Sequence, residues 1–454
     1  IAIVGNGTNN AGTGCVVRKC IINLPNTGTS ISYGIIVTGN PLGTGDANQW
    51  TDSVTIDSNT VTGGYYGIQI STSASGNAAH NRGHAIRNNT INNAYYYGIR
   101  VYYIYNAVDI SYNTVNMNNS NVSNYGIYFY YCQNTTAGTN HKIIGNYINA
   151  GYAGLYFYYW ASPAGNRIPI YNNIITTIGT YVGAYVYTGV AAGNEVDFYH
   201  NSVLTQGAST SYGLYYYNLS GTGTSYFRNN ILAALGSATY PAYFSTNPTG
   251  NVINYNNYYN FGGGNLGYRG AAFNASSFQT TTTGGDSSVN IVPSFISYSN
   301  LRLANACVRG ANYNSIVPKD IDGNTRNIPP VMGAHEPSGT LNDVFINNVY
   351  FNTPVAPGLQ DLSVRVKSNN TATTTSMNII YRLNGGVPVT TAWTGALNGC
   401  DTILYTFNGI KQMNLLPGYN SLVVYTSNPN GSADANSAND TVYLTLTTVQ
   451  TTPG

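Results

Sequence analysis

The sequence predicts an all-β chain: a right-handed parallel β-helix over residues 1–336, then an immunoglobulin-like β-sandwich over residues 337–454. Three observations lead there. An asparagine recurs at a near-constant interval, a glycine-led strand motif follows each one, and the texture changes after about residue 340.

The asparagines sit in IDSNTV (56–61), IRNNTI (86–91), ISYNTV (110–115), IIGNYI (143–148), IYNNII (170–175), FYHNSV (198–203) and FRNNIL (227–232). Asn59, Asn89, Asn113, Asn146, Asn173, Asn201 and Asn230 align at spacings of 30, 24, 33, 27, 28 and 29, and Cys20 takes the same slot in VRKCII. An interval near 28 residues is one coil of a solenoid. Asparagine tolerates the left-handed backbone region, and its amide both donates and accepts. In coils stacked about 4.8 Å apart, identical amides should bond upward and downward as a ladder. These residues are therefore expected to be structural.

The second motif runs YGIIV (33–37), YGIQI (66–70), YGIRV (97–101), YGIYF (125–129), AGLYF (153–157), VGAYV (182–186), YGLYY (212–216) and YPAYF (240–244). After the glycine, apolar residues alternate with polar or aromatic ones, the period of a half-buried strand. The glycine should fit a bend that a Cβ would obstruct. No segment carries a helical apolar period flanked by caps, which argues against leucine-rich and ankyrin-type repeats.

Charged residues make up only 7% of the chain, against 51 glycines and 43 tyrosines, and the net charge is +2. Solubility must rest on Asn, Thr, Ser and tyrosine hydroxyls, and there is no electrostatic basis for nucleic acid or an acidic membrane as partner. No stretch approaches the roughly 18–20 apolar residues of a membrane helix, so insertion is not expected. The opening IAIVGNG reads as a strand without the charged region of a signal peptide, so the true start is expected upstream. Cys15, Cys20, Cys132, Cys307 and Cys400 match neither a metal spacing nor a full disulfide framework; Cys15 could pair with Cys20, though buried free thiols are the preferred reading. No cofactor is expected.

On these motifs the chain resembles the bacterial parallel β-helix repeat proteins, which include pectin-acting enzymes and surface adhesins. SSVNIVPSFISYSNLRLANACVRG (287–310) and DIDGNTRNIPPVMGAHE (320–336) look like the closing element of secreted members, with Asp320, Asp322, Gly323, Arg326, Gly333, Ala334 and Glu336 in the motif positions. The resemblance implies a cap over about 265–336 that satisfies the last coil. Calcium at Asp320 and Asp322 is the lesser alternative, since only two acids of a hard-cation site are visible.

After that segment, strand-like runs cover 343–351, 359–368, 376–383, 388–395, 401–407, 420–427 and 440–448, with Asn384-Gly385-Gly386 as a hairpin turn. Seven short strands fit an immunoglobulin-like sandwich. IIYRLNGGVPVTTAWTG and SNPNGSADANSANDTV resemble the adhesion-type modules of Bacteroidota surface proteins. That resemblance implies export by the type IX route, an extracellular or cell-surface location, and O-glycosylation at Asp-Ser/Thr sites. Ser53, Thr402 and Thr441 stand in such tripeptides.

Lyases of the β-helix type imply a calcium-binding carboxylate cluster with a basic residue, and hydrolases need carboxylates converging on one bond. The coils offer only Asp46, Asp52, Asp57, Asp109, Glu195, Asp197 and Asp286. Subtracting 28 from 195 places Arg167 over Glu195, with Asp197 and His200 on the same strand. That group is either a catalytic cluster or, as preferred, a surface ion pair worth at most about 1 kcal/mol.

Tyrosine is patterned more strongly. Two positions after the glycine come Tyr128, Tyr156, Tyr185, Tyr215 and Tyr243, preceded by Gln69 and Arg100; four after it come Tyr102, Tyr130, Tyr158, Tyr187 and Tyr217. Alternation turns Ile127, Phe129, Leu155 and Phe157 inward and both tyrosine columns outward. Such an aromatic wall, about 20 Å over five coils, is expected to be exposed and to contact something. Another protein subunit is the first expectation; the chain's own C-terminal or upstream segments, and glycans stacked on the rings, are the others. The sequence thus points to a non-enzymatic structural or adhesive surface protein, with a polysaccharide-binding or pectate-lyase-like protein as the alternative.

Overall fold

The computed structural model describes residues 1–449 apart from 6–11, 27, 29, 39–50, 73–81, 118–120, 164, 180, 190–193, 208–209, 219–222, 246–250, 275–276, 278–286, 314, 338–341, 352–354 and 371–372. The chain divides into two compact units, residues 1–303 with 308–336, and residues 304–307 with 337–454. Both are all-β. No helix among the described residues is long and apolar enough to cross a membrane.

The first unit is a parallel β-helix. Each coil contributes three strands, for example Tyr97–Tyr102, Asp109–Ser111 and Thr114–Asn116, and each strand pairs in parallel with its counterparts one coil before and one coil after. Three sheets result, and their inward residues meet in one continuous core that includes Ile99, Ile110, Val115, Phe129, Leu155 and Phe198.

The asparagine file is real and extends one coil past the last aligned motif. Asn59, Asn89, Asn113, Asn146, Asn173, Asn201 and Asn230 each donate from side-chain Nδ2 and backbone N–H to the Oδ1 of the next asparagine. The last acceptor is Asn256, whose own N–H donates to the Ser288 hydroxyl. Each Nδ2 also donates to a carbonyl of the preceding coil, so these buried amides satisfy the turn on every side.

Two expected reasons for these positions change. Positive φ belongs to the residue before Cys20 and before each ladder asparagine, the file Lys19, Ser58, Asn88, Tyr112, Gly145, Asn172, His200, Asn229 and Tyr255. The ladder asparagine is selected for its amide alone. The glycines of the second motif likewise do not turn the chain. A Cβ on Gly154 would stand 2.3 Å from Ile175 Cγ2 and 2.8 Å from the Gly183 carbonyl oxygen, and Gly126 and Gly183 are equally hemmed in. They permit close approach across the coil.

The segment read as an end cap does more than close the last coil. A further coil strand, Gly267–Arg269, lies inside it, and the bridge between Asn257 and Val289 continues the stacking. From there the chain returns along the flank of the solenoid. Leu301 and Ala334 pack on Ile174, Leu204 and Ala233, and Gly333 and Ala334 donate to the Asn229 carbonyl and the Ser202 hydroxyl. The buried Arg326 anchors the return by donating to Glu336, Asn172 and the Gly333 carbonyl. The third sheet explains why. Its strands alternate in early coils, as in Thr60–Thr62, but are buried on both faces at Ile174–Thr177, Ser202–Thr205 and Ile231–Ala234.

The second unit is a sandwich of antiparallel sheets. Val344–Tyr350, Leu362–Ser368 and Thr402–Phe407 form one, and Val389–Leu397, Thr374–Leu383, Gly418–Ser427 and Thr441–Thr448 the other. Val344, Val364, Phe407, Ile379, Leu422 and Val424 meet between them. The expected hairpin forms at Asn384 and Gly385, both at positive φ. The expected run 359–368 is two strands, Gly358–Gln360 and Leu362–Ser368, and a strand not among the seven, Met413–Leu415, pairs with the first of them. Cysteine departs from expectation in part: Cys307 and Cys400, both in this unit, form a disulfide, while Cys15, Cys20 and Cys132 are free as expected, though only Cys132 is fully buried.

Candidate functional site: the tyrosine face

Parallel register puts tyrosine upon tyrosine. In the first sheet Tyr128 pairs with Tyr156, Tyr156 with Tyr185, Tyr185 with Tyr215 and Tyr215 with Tyr243. Beside that file Tyr102, Tyr130, Tyr158, Tyr187 and Tyr217 follow in the same register. The residues between them, Ile127, Phe129, Leu155 and Phe157, are wholly buried in the core, as alternation requires.

The rings stack face to face. Centroids lie 4.7 Å apart at 8° for Tyr156 and Tyr185, 4.1 Å at 4° for Tyr158 and Tyr187, and 5.1 Å at 11° for Tyr215 and Tyr243. Stacking makes the wall half-buried rather than fully exposed, because each ring is covered by the ring above and the ring below. Tyr187 is the most enclosed, at 9% exposure. The positions continuing the columns toward the N-terminus differ: Gln69 and Ser71 are buried, and Arg100 lies over the Tyr102 ring at 4.4 Å while donating to Gln69 Oε1.

The face is also wider than two columns. Tyr33, Tyr66, Tyr97 and Tyr125 form a third file at 5.1–5.3 Å, joined to the first by Tyr97 and Tyr125 against Tyr128. Tyr268 lengthens the first file, 4.6 Å from Tyr243. The signal for the third file is the Tyr before Gly34, Gly67, Gly98 and Gly126. Position relative to the strand start, rather than alternation alone, would have found it.

Burial pushes the hydroxyls of Tyr128, Tyr156 and Tyr185 well above the usual phenol range, and neighbouring tyrosines add to the effect. They remain neutral phenols in ordinary buffers, with an apolar ring and a hydroxyl that donates and accepts.

The charged cluster forms only in part. Arg167 donates to Glu195 Oε2 at 2.8 Å and, through Nε, to Asp197 Oδ1 at 2.7 Å, and its guanidinium stacks on Tyr226 at 4.1 Å. The group is partly buried, with side-chain exposures of 25%, 16% and 14%, not the surface pair expected. Both carboxylates are bound to one guanidinium, and Tyr171 donates to the remaining Asp197 oxygen. His200 stands apart. It is buried at a positive-φ corner, with Nε2 against the Asn229 amide, and burial and then Arg326 hold its imidazole well below the ordinary range.

Asp320 and Asp322 carry other duties. The Asp320 carboxylate accepts from the N–H groups of Asp322, Asn324 and Glu336 and from Asn324 Nδ2, while Asp322 is paired with Arg302. His335 is adjacent, but its Nδ1 accepts from the Leu303 N–H. A cation there would have to displace the bonds that hold the return segment. Ser53 and Thr402 are exposed and Thr441 is half-buried; Asp46 and Asp286 lie outside the described residues.

No family model matches the chain. No curated protein matches it either. Among solved structures it is similar, over 25% of its length and at 17% identity, to the CARDB domain of a Pyrococcus furiosus protein crystallised in complex with di-metal ions. The match covers 97% of that domain with a TM-score of 0.21.

Proposed function

We propose that this protein is a structural or adhesive component, presented outside the cell, whose solenoid binds another protein subunit through the tyrosine face. The observation that carries the reading is the register of the first sheet, which holds tyrosines of successive coils in parallel files. From Tyr128 to Tyr268 the first file covers five coil spacings, about 24 Å. Rings so stacked have already lost their rotamer freedom, so little entropy remains to be lost when a partner docks. Tyrosine is enriched at protein interfaces because one side chain offers apolar area and a hydrogen-bonding group.

The low charge supports an assembly role over a steered encounter with a charged ligand. The Cys307–Cys400 disulfide supports an oxidising compartment, consistent with export to a bacterial surface by a route such as type IX. The test is the double variant Tyr156→Ser, Tyr185→Ser. Sedimentation and electron microscopy of the wild type should show concentration-dependent assembly, which the variant should lose while keeping its β circular dichroism. A wild type that stays monomeric and captures no protein partner, or a variant that assembles unchanged, would sink the proposal.

A further inference from the structure

In the C-terminal sandwich, Asp343, Asp434 and Asp440 each place a carboxylate oxygen within 4.8 Å of the other two. They come from separate stretches of chain. Asp343 precedes the strand Val344–Tyr350, while Asp434 and Asp440 belong to the connection between Gly418–Ser427 and Thr441–Thr448. Asp343 and Asp440 are buried and Asp434 is half-buried.

Their hydrogen bonding is unequal. Asp434 accepts from the N–H groups of Val344 at 3.0 Å and Asn436 at 2.8 Å. Asp343 accepts from Asn369 Nδ2 at 2.8 Å and Asn439 Nδ2 at 3.2 Å. Asp440 is only 7% exposed, its Oδ1 has no hydrogen-bond partner among the described residues, and one of its carboxylate oxygens lies within 4.8 Å of the other two acids. The amide oxygen of Asn439, next to it, is also buried and unpartnered. Among the described residues no Lys, Arg or His is ion-paired with any of the three acids.

A buried carboxylate without a donor, beside its own kind, is costly for a protein to maintain alone. A hard divalent cation offsets the desolvation and the repulsion together. The oxygen-only donor set disfavours zinc and copper, and calcium tolerates an irregular shell of six to eight oxygens completed by carbonyls and water.

We propose that Asp343, Asp434 and Asp440 bind a calcium ion, its shell completed by carbonyls and water. The ion links the start of the first sandwich strand to the long connection before the last one. Binding therefore stabilises the C-terminal unit.

The test uses the full chain, stripped with a chelator and titrated with calcium chloride to about 10 mM, above the weaker calcium-module range. Calorimetry should show binding of a single ion, and the melting of the C-terminal unit should rise with calcium. The double variant Asp434→Asn, Asp440→Asn should weaken binding by about tenfold or more, while Asp322→Asn, at the other acidic group, should bind as the wild type does. The single variant Asp440→Asn guards against misfolding, because a neutral amide removes the repulsion. In chelator it should melt at or above the wild type. No binding heat or melting shift in the wild type, wild-type affinity in the double variant, lost binding in Asp322→Asn, or a lower melting point for Asp440→Asn in chelator would each overturn the proposal.

Discussion

The Asn146 side-chain amide and the Asn146 backbone N–H both donate, at 3.0 Å, to a single oxygen, Oδ1 of Asn173 one coil later. Asn173 in turn donates to the Ile143 carbonyl and to Asn201. One residue thus satisfies groups on three coils, all of them out of reach of water.

Replacing Asn173 by Ala leaves two buried donors and a carbonyl without their partner. Unfolding in denaturant should show a loss of about 2–4 kcal/mol. A loss under about 0.5 kcal/mol would mean that water or a shifted backbone replaces the ladder.

Gly154→Ala tests the close approach across the coil. Its new methyl meets Ile175 Cγ2 and the Gly183 carbonyl oxygen, and backbone cannot yield as a flexible side chain does. A destabilisation of about 1–3 kcal/mol is expected in the same assay. A double variant with Ile175→Ala should recover part of it, because the nearer contact disappears.

Acid should loosen the solenoid before most carboxylates titrate. Burial pushes His84 down to about 4 and His141 down to about 3, and both accept a backbone N–H through Nδ1, from Val54 and Val108. The unfolded chain protonates these imidazoles near 6.5 while the folded chain keeps them neutral. Their contribution is therefore complete above about pH 6.5 and falls as pH drops toward 4, by about 2 kcal/mol per histidine at pH 5. The melting temperature followed from pH 7 to 5 should decline, and His84→Gln with His141→Gln should flatten the slope. Equal slopes would exclude them as the source.

The disulfide closes a loop of 93 residues and belongs with the sandwich. Cys307→Ala with Cys400→Ala should lower the stability of the C-terminal unit by roughly 4–5 kcal/mol on the chain-entropy estimate. Calorimetry of the full chain should show that transition move while the solenoid transition stays in place.

What could be read in advance follows from like stacking on like. The asparagine file, the inward Ile127 and Phe129, and the Arg167–Glu195 contact all come from arithmetic on one repeat length. Features lacking chemical identity between coils could not be found this way. The positive-φ file holds Lys19, Ser58, Tyr112 and His200, which share a backbone conformation and nothing else. His200 lies past the strand end at Tyr199 and, three residues after Asp197, has the opposite alternation, so the two side chains do not share a face. The covered flank left a trace that alternation rules detect: Thr60 and Thr90 give way to Ile174, Ile231 and their neighbours, and a strand apolar on both faces needs cover on both. The partnership of Cys307 with Cys400 depends on tertiary approach, which no local spacing encodes.

Because each ladder asparagine meets its neighbours through identical atoms, the coils are interchangeable parts. Removing residues 113–145 would join Tyr112 to Asn146 and present Asn89 with the same amide it now meets in Asn113, one storey shorter. The interval between rungs already ranges from 24 to 33 residues without disturbing the bonds. Length in such a molecule can change by whole storeys through recombination at one repeated point, with no need to redesign the interior.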